Sequence, residues 1–222
     1  MNNSLLGIIG GLGTQASAWF YKRLHALQNV NTEQEYMDIL LYSIPSMPDR
    51  TAYITGKSKD SPLGALIHAA QTLETAGVSH IAIPCVTSHF FYDDISKAVS
   101  IPIVNILEET VRVVISSGNR YKVCLLATDG TIEGRVFHTM FEKASIDLMT
   151  PSREHQAELM TLIYDIKRAV TVNHEVLDKI IAKSLENGAE TVILGCTELC
   201  IAAKESSGVI NTLDVLAKAC LV

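Results

Sequence analysis

Two cysteines occupy the same kind of position in the two halves of the chain. Cys85 follows the apolar run 80–84, and Cys196 follows the apolar run 191–195. A glycine precedes each cysteine by eight positions, and a polar segment follows each one. A thiolate can remove a proton from one face of a carbon while a thiol supplies a proton to the other face. The pattern therefore favours inversion of a stereocentre by a pair of thiols.

Other roles for these cysteines stay open at this stage. Five cysteines at scattered spacings are not typical of a disulfide framework, and a reducing compartment would keep them free. Zinc is disfavoured because the chain has no C-x-x-C pair, although Cys196 and Cys200 stand four positions apart. Buried packing is the ordinary role of a strand-end cysteine. The repeated context favours function for the pair, whereas Cys124, Cys200 and Cys220 have no matching partner and are interpreted as packing residues.

The elements that must position the two thiols repeat as strand, turn and helix. Residues 5–9 form an apolar run of strand length, residues 10–14 a glycine-rich turn, and residues 16–27 carry apolar side chains at helical spacing. We predict further strands at 39–43, 80–85, 103–106, 122–127, 147–149, 191–195 and 209–211. We predict further helices at 62–76, 92–99, 108–116, 134–144, 155–170, 173–187 and 213–221. This alternation predicts an α/β fold with mainly parallel sheets flanked by helices.

An internal duplication is indicated by positions that repeat at nearly constant spacing. The matched pairs are Gly13 with Gly130, Cys85 with Cys196, and Asn105 with Asn211. We predict two similar, pseudo-symmetric α/β domains, one of residues 1–102 plus 212–222 and one of residues 103–211. Ligands bind beyond the carboxyl ends of the strands in open parallel sheets. We therefore expect a cleft between the domains with one cysteine on each wall.

Both cysteines also precede a predicted helix start. A helix N-terminus lowers the pKa of a thiol, and its backbone N–H groups can bind a substrate carboxylate. We therefore expect reactive thiols beside an anion-binding position.

Composition restricts the possible partners. The chain has 222 residues, a net charge of −6 and no run of Lys or Arg, so nucleic acid and anionic membrane are poor candidates. No apolar run reaches the roughly 18 residues that span a bilayer, and the N-terminus is not typical of a signal peptide. The expected location is the cytoplasm, and the expected partner is a small molecule.

Six motifs carry a resemblance that runs nearly end to end. Residues 10–13, 47–51, 84–89, 126–131, 163–167 and 195–199 resemble those of the aspartate/glutamate racemase family, whose members work without pyridoxal phosphate. The resemblance implies two similar domains, an active site in the cleft, no cofactor or metal, and commonly a homodimer. It also implies that Cys85 and Cys196 are the acid/base thiols and that Arg50 and Lys167 bind the side-chain carboxylate. Two cations select an acidic substrate, and Arg can bind a carboxylate bidentately.

Residues within the six motifs complete the predicted site. The predicted substrate-binding residues are Leu12, Arg50, Val86, Thr87, Ser88, Thr128, Thr131, Lys167, Thr197 and Glu198. The chain departs from the family pattern at Val86, where Asn is usual, at Ser88, where Ala is usual, and at Leu12, where Met is common. His89 either orients the first thiol or bonds a local backbone group. Glu198 either assists Cys196 or caps the following helix.

The predicted function is a cofactor-independent racemase of an acidic amino acid, aspartate and/or glutamate. The alternatives are a non-catalytic acidic amino-acid binding protein, with Val86 marking lost turnover, and an isomerase or decarboxylase of a dicarboxylic acid. The spacing Gly11-x-Gly13-x-x-Ala16 fits nicotinamide binding only loosely, because no acidic residue ends the second strand. A Schiff base at Lys167 is disfavoured because no matching phosphate loop accompanies it.

Overall fold

A computed structural model describes residues 4–118, 122–170 and 173–221, and these form two parallel sheets flanked by helices. The first sheet has the order β2-β1-β3, formed by β1 (Leu5–Gly10), β2 (Asp38–Ser43) and β3 (His80–Ala82). The second has the order β5-β4-β6-β7, formed by β4 (Lys122–Leu126), β5 (Asp147–Met149), β6 (Thr191–Leu194) and β7 (Val209–Asn211). All strand pairs are parallel, which confirms the predicted fold class.

Helices connect the strands, as parallel pairing requires. They are α1 (Thr14–Leu27), α2 (Arg50–Ile54), α3 (Leu63–Thr75), α4 (Tyr92–Lys97), α5 (Ile106–Ser117), α6 (Asp129–Glu133), α7 (His138–Lys143), α8 (Arg153–Lys167), α9 (Glu175–Glu186), α10 (Thr197–Ala202) and α11 (Thr212–Ala219). Short 3-10 turns cover Glu33–Glu35 and Thr87–Phe91. No helix of the described residues is long and apolar enough to cross a membrane.

The core lies on both faces of the central strands. Ile8 of β1 packs in a cluster with Phe20 of α1, whereas its neighbour Ile9 packs in a second cluster with Leu66 and Leu73 of α3. Adjacent strand residues point to opposite faces, so a strand that is apolar throughout is covered on both sides. The central strands therefore fix the position of the turns that follow their carboxyl ends.

The two halves use matched residues in matched places. The Asn105 side chain caps α5, and the Asn211 side chain caps α11, each by accepting backbone N–H groups of the first turn. Ile103 bridges to Ile81 beside β3, where the second sheet has β7 beside β6. Helix α11 packs against both α1 and α5. The division into domains at residues 102/103 and 211/212 stays a prediction.

The first cysteine does not end a regular strand, contrary to the expected strand at 80–85. Strand β3 ends at Ala82, because Pro84 cannot donate a ladder hydrogen bond. The N–H of Cys85 instead donates to the carbonyl of Ile83 at 2.7 Å. The expected strand at 103–106 is likewise reduced to the single bridge at Ile103.

The expected helix at 134–144 was also wrong in its bounds. The chain forms α6 before it and α7 within it. Arg135 has a left-handed φ of 50°, which an α-helix does not accommodate. A Cβ at Gly134 would lie 2.6 Å from the carbonyl oxygen of Gly130, so the chain turns tightly between the two helices.

Candidate active site

The carboxyl ends of the two sheets enclose one cleft. It is lined by Leu12, Arg50, Thr51, Cys85, Val86, Thr87, Thr128, Lys167, Cys196, Thr197 and Glu198. The cavity in the cleft has a volume of only about 10 Å³. A cavity of that size holds about one water molecule. The cleft is therefore closed, and its walls must move apart before an amino acid enters.

All but two of the residues predicted from sequence line this cleft. The exceptions are Ser88 and Thr131, which are fully buried behind the wall. The hydroxyl of Ser88 has no hydrogen-bond partner among the described residues. Thr51 lines the cleft but was missing from the prediction. The signal for Thr51 was its place directly after Arg50 in the motif at 47–51.

Cys85 is held through its main chain. The Nδ1 atom of His89 lies 3.0 Å from the carbonyl oxygen of Cys85, and the N–H of Ile106 donates to Nε2 at 3.4 Å. These partners assign the ring proton to Nδ1 and make the ring neutral. Burial lowers the pKa of His89 to about 4, which keeps the ring neutral at pH 7. His89 thus bonds local backbone groups and ties the Cys85 turn to the start of α5.

Cys196 is held through its side chain. Its Sγ donates to Oε2 of Glu198 at 3.1 Å, and the hydroxyl of Thr197 donates to the same oxygen at 3.3 Å. Burial raises the pKa of Cys196 well above its usual value, and the Glu198 carboxylate raises it further, while Lys167 acts in the opposite sense. The backbone N–H of Glu198 at the helix start lowers this pKa as expected, but burial and the carboxylate outweigh it, so the net pKa is raised. The Glu198 carboxylate contacts the thiol, and no side chain of the described residues caps α10.

The other oxygen of Glu198 lies against the turn after β1. Oε1 is buried and has no hydrogen-bond partner among the described residues. A Cβ built on Gly13 would lie 1.9 Å from Oε1, so Gly13 is the residue whose missing side chain leaves room for the carboxylate. Gly13 is also the N-cap of α1. A helix N-terminus favours a negative charge, so the carboxylate lies where the dipole of α1 attracts it.

Arg50 connects two loops of the first half. Its Nη1 donates to the carbonyl oxygens of Met47 and Pro48, at 3.4 and 3.0 Å, and its Nη2 donates to that of Leu12 at 2.9 Å. The Nε atom is buried and has no partner in the described part of the chain. The guanidinium therefore braces the loop that carries Leu12 and keeps a donor free beside the cleft.

Lys167 supplies the second cation and lies in a network that joins the two halves. Its Nζ lies 4.9 Å from the centre of the Tyr164 ring, and the Tyr164 hydroxyl donates to Oδ2 of Asp49 at 3.2 Å. Burial lowers the pKa of Lys167, but Glu198 and Cys196 outweigh burial, and the net pKa is raised. Lys167 is therefore charged, and it offsets the negative charge of Glu198.

Three threonine hydroxyls meet where the halves touch. Thr87 comes from the Cys85 segment, and Thr128 and Thr131 come from the turn after β4; their hydroxyl oxygens lie 2.9–3.1 Å apart. A Cβ at Gly130 would lie 2.8 Å from the Cα of Thr51, so this glycine permits the close contact between α6 and α2. The hydroxyls can exchange their mutual hydrogen bonds for bonds to a carboxylate.

The arrangement combines two thiols, two cations and a group of hydroxyls in one closed cleft. Such a set can bind a small molecule with more than one carboxylate and can exchange protons with it. Among the residues that the structure describes, no three His, Cys, Asp or Glu side chains lie close enough together to share a metal ion.

Comparison with known proteins gives consistent matches over nearly the whole chain. The family model described as Asp/Glu/Hydantoin racemase matches residues 9–220. The broad specificity amino-acid racemase RacX of Bacillus subtilis is 26% identical over 202 residues, which cover 88% of this chain and 86% of the relative.

Solved structures share the same fold. An aspartate racemase homologue from Pyrococcus horikoshii superposes with a TM-score of 0.77 at 27% identity. The superposition covers 99% of this chain and 97% of the Pyrococcus chain. The aspartate racemase of Picrophilus torridus superposes with a TM-score of 0.87 at 23% identity, over 98% of this chain and 93% of the Picrophilus chain. At this identity the match shows that the two proteins share a fold.

Proposed function

The chain belongs to the Asp/Glu/hydantoin racemase family, and from this premise we propose that it inverts the Cα centre of aspartate or glutamate. Cys85 and Cys196 are the two acid/base thiols in this proposal, and no cofactor takes part. The observation that supports it best is the single closed cleft that collects both thiols with both cations, Arg50 and Lys167.

The reaction divides between proton transfer and substrate binding. A thiolate on one wall takes the Cα proton, and the thiol on the other wall gives a proton to the opposite face. Which cysteine acts as the base therefore depends on whether the substrate is the L- or the D-enantiomer. The proposed ligands of the side-chain carboxylate are the free Nε–H of Arg50 and the ammonium group of Lys167.

The remaining lining residues have positions suited to binding the rest of the amino acid. The hydroxyls of Thr87, Thr128 and Thr197 are the proposed partners of the α-carboxylate. Leu12 and Val86 are almost fully buried apolar side chains, and they exclude water from the reacting carbon. Val86 offers no side-chain amide, so polar binding near Cys85 falls to the hydroxyls and the backbone.

The proposal is tested by incubating each of L-aspartate, D-aspartate, L-glutamate and D-glutamate with the protein in deuterated water. We expect the opposite enantiomer and Cα deuterium to appear without added cofactor, measured by chiral chromatography with mass spectrometry. Cys85→Ala and Cys196→Ala should each reduce inversion by at least about 1000-fold, within the range of acid–base catalysis. The matched control is Cys220→Ala, a buried cysteine outside the cleft, which should retain inversion.

Two results would contradict the proposal. Full inversion in either single-cysteine variant would exclude the two-thiol mechanism. Measurable binding of an acidic amino acid by the wild-type protein, without exchange or inversion, would instead indicate a binding protein.

A homodimer and a cytoplasmic location belong to the same proposal. Strand β2 is an edge strand that leaves the apolar residues Leu40 and Leu41 exposed, which supports a covered surface in an assembly. Light scattering of the purified protein, with the variant Leu41→Lys as the comparison, measures the oligomeric state. A wild-type mass of one chain would exclude the dimer.

A further inference from the structure

We propose that Cys196 and Glu198 work as one acid/base pair in which the carboxylate stores the negative charge, whereas Cys85 works as a lone thiol. This inference rests on the proposed racemase function and deepens it. Glu198 then acts on the reacting thiol instead of binding the substrate.

The contact between the two groups carries the inference. Cys196 Sγ lies 3.1 Å from Glu198 Oε2, which is within reach for direct transfer of the S–H proton. Both side chains are almost fully buried, at 4% and 2% exposure, so water does not compete for the contact. Glu198 is also the one acidic side chain among the described residues that line the cleft.

The surroundings allow Glu198 to carry charge although it is buried. A buried carboxylate needs compensating positive charge or donors. Lys167 supplies the positive charge within the same cleft, and the hydroxyl of Thr197 supplies a second donor to Oε2. The unpartnered Oε1 lies against Gly13 at the N-terminus of α1, where the helix dipole favours an anion.

Cys85 has a different neighbourhood. Within its own segment lies His89, whose ring bonds the Cys85 carbonyl and the N–H of Ile106. Both ring nitrogens are thus occupied by backbone groups, and His89 has no remaining position for the Cys85 proton. Outside the segment, the Lys167 ammonium interacts with Cys85 as well as with Cys196, but it is a cation and takes no further proton. Cys85 must therefore carry its own negative charge as a thiolate.

The proton steps balance with these roles. In one direction the cleft starts with two thiols and an ionised Glu198. Cys196 passes its S–H proton to Glu198 while its sulfur takes the Cα proton, and Cys85 gives its proton to the opposite face. The products are a Cys85 thiolate, a Cys196 thiol and a protonated Glu198. The other direction retraces these steps, with Cys85 taking the Cα proton and Glu198 returning its proton to Cys196.

Steady-state rates in the two directions cannot separate the halves. The two enantiomers of a free amino acid have equal free energy, so kcat/KM must be equal in both directions for any variant. Exchange of the Cα proton for deuterium, measured in variants that keep only one of the two catalytic thiols, reports the activity of that thiol alone. Cys85→Ala retains the Cys196 half, and Cys196→Ala retains the Cys85 half, so each should incorporate deuterium into one enantiomer without inversion.

The test adds Glu198→Gln, which keeps the side-chain volume, to each single-thiol variant. In Cys85→Ala we expect the substitution to reduce Cα deuterium incorporation by about 100-fold or more. In Cys196→Ala we expect a reduction of less than about threefold. An equal loss in both backgrounds, or undiminished exchange in Cys85→Ala, would overturn the inference.

A second measurement does not depend on turnover. Alkylation by iodoacetamide at pH 7.5, quantified for each cysteine by peptide mass spectrometry, reports the thiolate fraction. Glu198→Gln removes the negative charge beside the thiol and replaces one carboxylate oxygen with an NH2 donor, so Cys196 should react about tenfold faster, which corresponds to about one pKa unit. The rate at Cys85 should stay within about twofold. An unchanged or slower rate at Cys196 would contradict the pairing.

The two measurements distinguish failure of the inference from failure of the function. A wild-type protein that neither exchanges nor inverts aspartate or glutamate would overturn the racemase proposal and the catalytic role of the pair together. A wild-type protein that racemises, combined with equal losses in both single-thiol backgrounds, would overturn the pairing alone.

Discussion

The two halves of the active site share a fold but hold their cysteines by different means. Cys85 is positioned through its backbone carbonyl by the neutral ring of His89, whereas Cys196 is positioned through its sulfur by the carboxylate of Glu198. Matched strands and caps surround both. The two halves thus share the frame that presents the thiols but differ in the groups that contact them. Two acid/base groups that face one carbon need not have the same surroundings.

Beyond the cysteine and Glu198 variants, the largest effect is expected from Gly13→Ala, which should disturb the Cys196 half. The added Cβ would lie 1.9 Å from Oε1 of Glu198, so the carboxylate must shift, and we expect its hydrogen bond with the thiol to be disturbed. In the Cys85→Ala background we expect Cα deuterium incorporation to fall by about 100-fold, the scale of lost acid–base catalysis. In the Cys196→Ala background we expect a much smaller loss.

A matched glycine provides the control for this substitution. A Cβ at Gly64 in α3 would meet nothing within 4 Å, so Gly64→Ala should leave exchange unchanged in both backgrounds. Comparable losses from Gly13→Ala in both backgrounds would show that the turn after β1 serves the whole cleft and not the Cys196 half.

The next effect concerns the Cys85 half and is a change in stability. His89→Phe keeps a ring of similar shape but leaves the Cys85 carbonyl and the Ile106 N–H without a partner. Each buried unpaired group costs about 1–3 kcal/mol, so the two together should lower the free energy of unfolding by about 2–6 kcal/mol at pH 7.5. The measurement is urea unfolding followed by circular dichroism.

The pH dependence makes this prediction specific to the histidine. The pKa of His89 is about 4 in the folded protein and near the ordinary histidine value of 6.5 in the unfolded chain, so the unfolded state binds the proton first as pH falls. Wild-type stability should fall by about 2–3 kcal/mol between pH 7.5 and pH 4.5 through this group. The Phe variant lacks that loss, and the difference in stability between the two proteins should shrink at pH 4.5. A constant difference would contradict the assignment.

The smallest expected effect lies at the contact between the halves. Tyr164→Phe removes the hydroxyl that donates to Asp49 but keeps the ring beside Lys167. We expect a loss of about 1 kcal/mol in the free energy of unfolding, together with a few-fold rise in KM for the acidic substrate. Tyr53→Phe is the control, because the Tyr53 hydroxyl has no hydrogen bond among those described. Equal effects of the two substitutions would exclude a role for the Asp49 contact.

Much of the fold was predictable because its signals are local. Apolar runs and glycine turns indicated every strand of both sheets, although β3 ends earlier than expected because of Pro84. The helix predicted at 134–144 starts later than expected, because Arg135 has a left-handed φ. The motifs also indicated the residues of the cleft. Thr51 was missed because its position opposite Gly130 depends on how α2 and α6 pack.

By itself the sequence determined the order of strands, turns and helices, and the placement of Cys85 and Cys196 at equivalent ends. These follow from side-chain period and turn chemistry, which act between residues close in the chain. Only the tertiary structure decided between the two roles that the sequence left open for Glu198, assisting Cys196 or capping α10. Gly13 and Glu198 lie far apart in the chain and touch only when the two sheets face each other. Burial and neighbouring charge set the pKa of Cys196, and both depend on every atom packed around it.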